Sequence, residues 1–221
     1  MSYREPNAEE NFARLRHFAP HAKRVRDVEG IYNAYQEAAR IAETPSFFLV
    51  DGDNWIVDGF DFLLPRNVKS ADIYFWRARN AVNGLELMNG SVKLLSRSVV
   101  ATMEKDAVDF SAAMKGVRVV INRVASETRF NATPFLAWRC GFRECAKFLG
   151  GLVDNPNVPN IVRVWQTSGE KAPNGRWCML GAKMGAAFGE KWRGTDALKA
   201  INDIAWLEKE FERARADAAA R

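Results

Sequence analysis

The sequence has little cysteine and histidine and no long apolar run, and each shortage excludes a class of protein. Its three cysteines, Cys140, Cys145 and Cys178, are odd in number and lack the paired spacing of zinc ligands, which argues against a disulfide framework or a structural zinc site. No apolar run approaches the roughly 20 residues of a membrane helix, and residues 1–5 lack the pattern of a signal peptide. We therefore expect a cytoplasmic protein with reduced, buried cysteines and no membrane partner.

What is present fits an ordinary globular chain. With 221 residues and 48% hydrophobic content, it can bury one substantial core, so we expect one domain or one domain with a small subdomain. The net charge of +5 and the pI near 9.2 favour an anionic partner. A solvated surface explains this charge equally well, because the basic residues are spread along the chain instead of forming a tail.

Helical and extended patterns alternate in the first fifty residues. Asn7 and Glu10 predict the capped start of a helix that runs to about Pro20. Residues 23–28 predict a short strand, and apolar residues at helical spacing from Ile31 to Ile41 predict a second helix that ends before Pro45. An apolar strand follows at 47–50. This order favours an α/β fold with a mostly parallel central sheet flanked by helices.

The rest of the chain gives a coarser pattern. Short strands are predicted at 55–57, 60–62, 72–76, 91–95, 117–124 and 161–165. A helix is predicted over 134–148, and a C-terminal helix is predicted to begin after the cap residue Thr195. The segment 77–90 is rich in asparagine and glycine, which indicates a loop.

Two carboxylates separated by one glycine follow the strand at 47–50. On a strand, Asp51 and Asp53 would project to the same side, and Gly52 would leave room for a ligand to approach the backbone. Two such oxygen ligands can hold Mg²⁺ or Mn²⁺ together with the phosphates of a substrate. The alternative is a simple turn between two strands, because Asp-Gly is a common turn dipeptide.

The region around this pair resembles the first half of GT-A-fold nucleotide-sugar glycosyltransferases. The resemblance rests on Gly30, Ala34 and Ala38 in a helix, then Ala42, Thr44, the apolar strand and the Asp51-Gly52-Asp53 motif. It implies that the helix packs beside the donor. It also implies that Asp51 and Asp53 hold manganese or magnesium against the diphosphate of a UDP-type sugar.

A narrower resemblance covers most of the chain. Residues 2–11, 78–85, 90–94, 142–145 and 201–203 look like segments of small phage-borne GT-A-like proteins, some associated with sugar modification of hydroxymethylated pyrimidines in phage DNA. This implies a metal-dependent glycosyltransferase that moves a sugar from a UDP-type donor to DNA, in the host cytoplasm if the chain is phage-encoded. Two features depart from the GT-A pattern: no apolar strand precedes the first helix, and the only histidines, His17 and His21, are early. A metal would then depend on the Asp pair, phosphate and water, or on a later residue such as Asp203.

Site residues follow from these resemblances. The expected donor-binding residues are Tyr3, Glu5, Asp27, Gly30, Asp51, Gly52 and Asp53, and the expected acceptor and loop residues are Asn83, Gly84, Glu86, Gly90, Lys93, Arg139 and Arg143. The loop from Asn83 to Lys93 would cover donor and acceptor, with Lys93 offering its charge to phosphate, although a hairpin connection explains it equally well.

For an inverting transfer, the candidate catalytic bases are Glu144 and Asp203, with Glu86 as a competitor; a retaining transfer would not require one. Arg139 and Arg143 share one helix face and could meet phosphate, or the helix could simply be partly exposed with an internal ion pair. Most tryptophans are expected in the core, with Trp177 as the best exposed candidate for stacking.

We therefore expect a single GT-A-like domain over 1–221, with 1–66 as the donor- and metal-binding half, 67–195 as the acceptor half and 196–221 as a C-terminal helix. Two alternatives stay open. One is a glycosyltransferase that acts on a glycan or protein acceptor. The other is a non-enzymatic nucleic-acid-binding or virion protein that keeps a decayed GT-A scaffold.

Overall fold

The computed structural model describes residues 1–87, 91–105, 107 and 113–219. The chain divides into two compact units. The first comprises Met1–Asn80 and Glu86–Arg129, and the second comprises Ala81–Leu85 and Phe130–Arg221. The division therefore falls after Arg129, whereas the expected halves met at residue 66.

The first unit combines a sheet with flanking helices. Its elements are α1 (Ala8–Phe18), α2 (Ile31–Ile41), β1 (Ser46–Val50), β2 (Asn54–Ile56), β3 (Asp72–Asn80), β4 (Glu86–Leu87), β5 (Val92–Ser96), α3 (Arg97–Val100) and β6 (Val117–Thr128). The helices and strands predicted up to residue 50 are confirmed, except that the strand at 23–28 is only a single parallel bridge between Ser2 and Arg26. Residues 60–62 are not a strand.

The sheet is mixed. Its strand order is β1-β5-β3-β6-β2, and β4 pairs with β3. Among the described strands, only β3 and β6 pair in parallel, and the other pairs are antiparallel. The α/β class with flanking helices is confirmed, but the sheet is not mostly parallel. The alternation of helix and strand misled the prediction because β1 pairs with the distant β5, while a tight turn connects β1 to β2.

At β1, apolar clusters pack on both faces of the sheet, which explains why this strand is a continuous apolar run. On the α2 face, Tyr35 packs with Leu49, Phe75 and other apolar residues of the strands. On the opposite face, Val50 packs with a second cluster that includes Trp76. Alternate residues of the same strand thus enter different clusters, as strand geometry requires.

The second unit is helical. Its elements are α4 (Pro134–Leu149), α5 (Val158–Thr167), α6 (Gly175–Lys191), a 3₁₀ helix (Asp196–Asn202) and α7 (Ile204–Ala219). The predicted strand at 161–165 is wrong, because this segment lies in α5. Its buried residues Ile161, Val162 and Trp165 follow helical spacing, and a proline occupies the first turn. Within the described residues, no helix is both long enough and apolar enough to cross a membrane.

The backbones of α4 and α6 are in direct contact. A Cβ added at Gly181 would lie 2.0 Å from the carbonyl oxygen of Trp138, and one added at Gly185 would lie 2.0 Å from that of Phe142. Only glycine permits this approach. Trp177, expected to be exposed, is half-buried, with its ring centroid 5.2 Å from that of Phe211, so it belongs to the aromatic core of this unit.

Candidate functional site

The Asp51-Gly52-Asp53 motif lies in a tight turn between β1 and β2. The Asn54 amide donates to the Asp51 carbonyl over 3.1 Å, which is the hydrogen bond of a β-turn. The Asp51 amide donates to the Ser91 carbonyl over 3.0 Å, so the turn begins where the β1–β5 ladder ends. The carboxylates therefore belong to a turn at the end of the strand, and not to a continuing strand that would place them on one side. We call residues Asp51–Asn54 the acidic turn.

Lys93 is the partner of Asp51. Its Nζ atom donates to Oδ1 and Oδ2 of Asp51 over 2.8 and 3.0 Å. The lysine side chain is fully buried at 0% exposure, whereas the Asp51 side chain is 32% exposed. Lys93 stands opposite Leu49 in the β1–β5 register, two residues before Asp51, so the pair is a diagonal contact across neighbouring strands. Lys93 was expected to offer its charge to phosphate, but its charge is directed to Asp51.

Tyr35 lies beside this ion pair. The Nζ atom of Lys93 lies 5.2 Å from the centroid of the Tyr35 ring, and this tyrosine of α2 is itself fully buried. An ammonium over an aromatic face is attracted by the ring quadrupole. The helix that precedes β1 therefore helps to fix the cation.

Asp53 is held by a buried network of polar side chains. Asn54 Nδ2 donates to Asp53 Oδ1 over 2.7 Å. Asn54 Oδ1 accepts hydrogen bonds from Ser126 Oγ over 2.8 Å and from Thr128 Oγ1 over 3.1 Å. Thr128 in turn lies 3.1 Å from the Ser91 hydroxyl. We call Asn54, Ser91, Ser126 and Thr128 the polar network; all four residues are buried.

The environment of Asp53 disfavours its charged form. Burial raises the pKa of Asp53 to about 7, and the nearby carboxylates of Asp51 and Glu5 act in the same direction. A backbone hydrogen bond and the charge of Lys93 lower the pKa by less. Asp53 therefore exchanges a proton near neutral pH, which is common for carboxylates at functional sites.

Gly52 is required by the chain itself. A Cβ at this position would lie 2.6 Å from Cβ of Ser2 and 2.9 Å from the carbonyl oxygen of Met1. The Gly52 carbonyl also accepts a hydrogen bond from Asn11 Nδ2 of α1 over 2.8 Å. The absence of a side chain thus makes room for residues 1–2, whereas the sequence suggested room for a ligand.

The acidic turn does not fit a divalent cation as the GT-A resemblance implies. Both carboxylate oxygens of Asp51 already bind the ammonium of Lys93, and Asp53 Oδ1 accepts from Asn54. A divalent ion bound to Asp51 would lie beside a buried positive charge and be repelled by it. Within the described ranges, no group of three or more His, Cys, Asp or Glu residues is placed to hold a metal ion.

The other expected donor-binding residues lie in the first unit, where their visible contacts are local. The Tyr3 amide donates to Glu5 Oε2 over 2.5 Å. Asp27 has a positive φ of 56° and pairs with Arg26 over 3.0 Å. Gly30 precedes α2 with a φ of 82°, a conformation that favours glycine. Of this group, Glu5 is the one whose charge acts on Asp53.

The expected loop residues are divided between the two units. Glu86 of the first unit pairs with Arg79 over 3.0 Å, and Gly90 lies outside the described residues. In the second unit, Asn83 Oδ1 accepts from the Leu85 amide over 3.1 Å, and Gly84 has a φ of 72°. These last features are those of a turn.

The expected catalytic and arginine residues of the second unit have structural partners. Glu144 pairs with Lys147 over 2.5 Å, one turn along α4. Arg143 donates to the Ile201 carbonyl over 2.8 Å and to the side chain of Asn202 over 2.7 Å. Half-buried Arg139 lies one turn before Arg143 on α4.

Asp203 caps α7. Its Oδ1 atom accepts a hydrogen bond from the backbone amide of Trp206 over 3.0 Å. This contact satisfies one of the free amides at a helix N-terminus, so the helix explains the aspartate without a catalytic role.

The polar network was not predicted, although the sequence carries a weak signal for it. Ser126 and Thr128 are separated by one residue, so they lie on the same face of β6 at the end that pairs with β2. Asn54 directly follows the acidic pair. Polar residues at alternating positions near a strand end could have been associated with the motif.

Comparison of the chain with protein-family models, with curated proteins and with solved structures found no match. Its function is therefore inferred from the acidic turn and the polar network behind it.

Proposed function

We propose that this chain is a GT-A-like glycosyltransferase that transfers a sugar from a nucleotide donor to hydroxymethylated pyrimidines in DNA. The observation that carries the proposal is the polar network that holds Asp53 in the turn between β1 and β2. The proposed site is the acidic turn.

A structural core does not require the polar network. Burying a hydroxyl or an amide group is costly unless it is hydrogen-bonded, and apolar residues of similar shape would fill the same space without that cost. The chain nevertheless keeps four such side chains directly behind one carboxylate, and they hold each other in one arrangement. Fully paired polar networks of this kind fix the orientation of the group they support. The group supported here is Asp53.

The packing of α2 beside β1 supports the proposal, because the GT-A resemblance covers these two elements. Ala34 and Ala38 of α2 are buried, and α2 packs in the same cluster as β1. Carboxylates at a strand end are suited to hydrogen-bond the hydroxyl groups of a sugar. The net charge of +5 favours a polyanionic acceptor such as DNA.

In the proposed reaction, the hydroxymethyl oxygen of the acceptor forms a bond to the anomeric carbon of the sugar. The bond from that carbon to the nucleoside diphosphate breaks, and the hydroxyl proton passes to a base. Asp53 would orient a hydroxyl group of one of the two substrates by accepting its hydrogen bond.

The test is turnover of a panel of UDP-sugars with duplex DNA that contains 5-hydroxymethylcytosine or 5-hydroxymethyluracil. We expect release of UDP and a nucleoside whose mass has increased by one sugar, with neither product from unmodified DNA. Asp53→Asn should remove most of this activity. The matched control Asp58→Asn, which changes a 93% exposed aspartate of the same unit, should retain it. UDP release without a change in DNA mass would refute the DNA acceptor and favour a glycan or protein acceptor.

A non-enzymatic nucleic-acid-binding protein is the second candidate, and the Lys93–Asp51 pair favours it. An acidic motif that the chain neutralises with its own buried lysine is expected in a scaffold that has lost a metal-dependent activity. This candidate predicts DNA binding that weakens steeply with added salt, with no turnover of any nucleotide sugar. Sugar transfer to DNA would exclude it.

A further inference from the structure

We infer that Lys93 fills the cation position of the acidic turn, and that the turn therefore binds hydroxyl groups of its ligand without a divalent metal ion. The inference concerns the same site as the proposed function and rests on it only for the identity of the ligand. It departs from the metal-bound diphosphate that the GT-A resemblance implies.

The first support is the geometry of the ion pair. Lys93 Nζ contacts both oxygens of Asp51, at 2.8 and 3.0 Å, which is the bidentate contact that a metal ion would otherwise make. The one positive charge of Lys93 is thus placed on the one carboxylate of Asp51. A second, divalent charge on the same oxygens would have no additional negative partner in the pair.

The second support is the position of Lys93 in the sheet. Its strand, β5, lies between β1 and β3, where Lys93 stands opposite Leu49 on one side and Phe75 on the other. The side chain is fully buried, and its ammonium lies over the buried Tyr35 ring. A surface lysine could move aside for a metal ion, but this ammonium cannot leave Asp51 without opening the sheet or losing its charge partner.

The third support is the arrangement of Asp53. Asn54 Nδ2 fixes Asp53 Oδ1, and Asn54 is fixed in turn by Ser126 and Thr128. Asp53 therefore has a set direction and is not free to swing towards Asp51 and share one ion. With Lys93 on Asp51 and Asn54 on Asp53, both carboxylates still offer oxygen lone pairs as hydrogen-bond acceptors.

This determines the chemical class of the ligand group. A pair that is already neutral gives no attraction for phosphate oxygens, which need positive charge or N–H donors. Carboxylate oxygens accept hydrogen bonds, so the complementary groups are hydroxyls such as those of a sugar ring or a ribose. In a nucleotide sugar, the acidic turn should contact the hydroxyl groups and not the diphosphate.

The first experiment measures cation binding by the full-length protein. Mn²⁺ is titrated into the protein with and without UDP, and free Mn²⁺ is followed by electron paramagnetic resonance. We expect the free signal to match that of buffer, or of UDP alone, at every ratio. Binding of one Mn²⁺ that Asp51→Asn or Asp53→Asn removes, and that Asp58→Asn retains, would overturn the inference. This measurement needs no turnover, so it decides the role of Lys93 even if the proposed transfer fails.

The second experiment tests the ligand group by calorimetry in the presence of a chelator. We expect UDP-sugars to bind with the same affinity with and without the chelator. Asp53→Asn should weaken the binding of a UDP-sugar at least tenfold but change the affinity for UDP less than twofold. An equal loss of affinity for both ligands would show that Asp53 contacts the diphosphate and would overturn the hydroxyl assignment. If no nucleotide sugar binds, the donor and the hydroxyl assignment fail together, whereas the cation assignment still depends on the Mn²⁺ titration.

Lys93→Gln provides an independent check. It removes the ammonium and leaves the Asp51 carboxylate, so a folded variant should bind Mn²⁺ in the same titration in which the wild type binds none. A folded variant that also binds no Mn²⁺ would count against Lys93 as the group that fills the cation position. Because loss of a buried charge partner can unfold the sheet, the wild-type titration is the deciding measurement.

Discussion

Asp53→Asn should stabilise the first unit at pH 8 and leave its stability nearly unchanged at pH 4. The pKa of Asp53 rises from its ordinary value of 3.8 to about 7, mainly through burial and then through Asp51 and Glu5, against the smaller opposing effect of Lys93. Between pH 3.8 and about pH 7, the folded protein therefore binds more protons than the unfolded chain. Stability therefore falls as the pH rises from about 4 to about 7, and the full penalty remains above that range.

The size of the effect follows from the shift. Each unit of pKa corresponds to about 1.4 kcal/mol, so the penalty for an ionised Asp53 above pH 7 is at most about 4 kcal/mol. The value is an upper limit because Asp53 retains some exposure to solvent. Asparagine carries no charge at any pH, and its Oδ1 atom can still accept the hydrogen bond from Asn54. The substitution thus removes the penalty with little loss of contact.

Hydrogen exchange of the β1 and β2 amides at a series of pH values is the appropriate assay, because it reports the opening of this region separately from the helical unit. After correction for the intrinsic exchange rate, the difference in opening free energy between Asp53→Asn and wild type should grow from near zero at pH 4 to a few kcal/mol at pH 8. Asp58→Asn should show no such growth. A difference that is constant with pH, or a variant that is less stable than wild type at pH 8, would refute the assignment of the raised pKa to Asp53.

Three further sets of variants, each measured by urea unfolding, test contacts described above. Lys93→Met should cost about 3 kcal/mol because it leaves a partly buried carboxylate unpaired, and the double variant with Asp51→Asn should cost less than Lys93→Met alone; additive losses would show that the pair does not couple. Gly52→Ala should cost roughly 1–3 kcal/mol because its Cβ meets Ser2, and an unchanged stability would show that residues 1–2 leave the turn. Asp203→Ala should cost about 1 kcal/mol and Asp203→Ser a few tenths, because serine also caps helices; loss of transfer activity in the folded Asp203→Ser variant would instead support a catalytic role.

Periodicity was sufficient for the elements that bury one clear face. The apolar spacing from Ile31 to Ile41 predicted α2, and the predicted helix over 134–148 agrees with α4 to within one residue. Periodicity failed for α5, where residues 161–165 were predicted as a strand. Five residues are too few to distinguish a helical pattern from a strand pattern. The buried spacing of Ile161, Val162 and Trp165 is visible only when the flanking turns are included.

The pairing of strands could not be predicted from the order of elements. The sequence shows that β1 ends at Val50, and the structure has the acidic motif at that point. The sequence does not show that the chain reverses direction within four residues after β1, or that β1 pairs with β5 some forty residues later. The partner of Asp51 depends on this register. Lys93 was therefore predicted as a site residue, but its contact with Asp51 was not predicted.

The backbone contact between α4 and α6 makes one stripe of the second unit intolerant of change. Any residue other than glycine at 181 or 185 places a carbon within 2.0 Å of a carbonyl oxygen of α4. In a saturation mutagenesis library selected only for folded protein, both positions should stay nearly invariant, while the exposed Ala187 should accept most replacements. The surviving sequences would then show a four-residue period in a segment whose glycine content argues against a helix. Selection for folding alone would thus reveal α6 as a helix and identify the face that it turns towards α4.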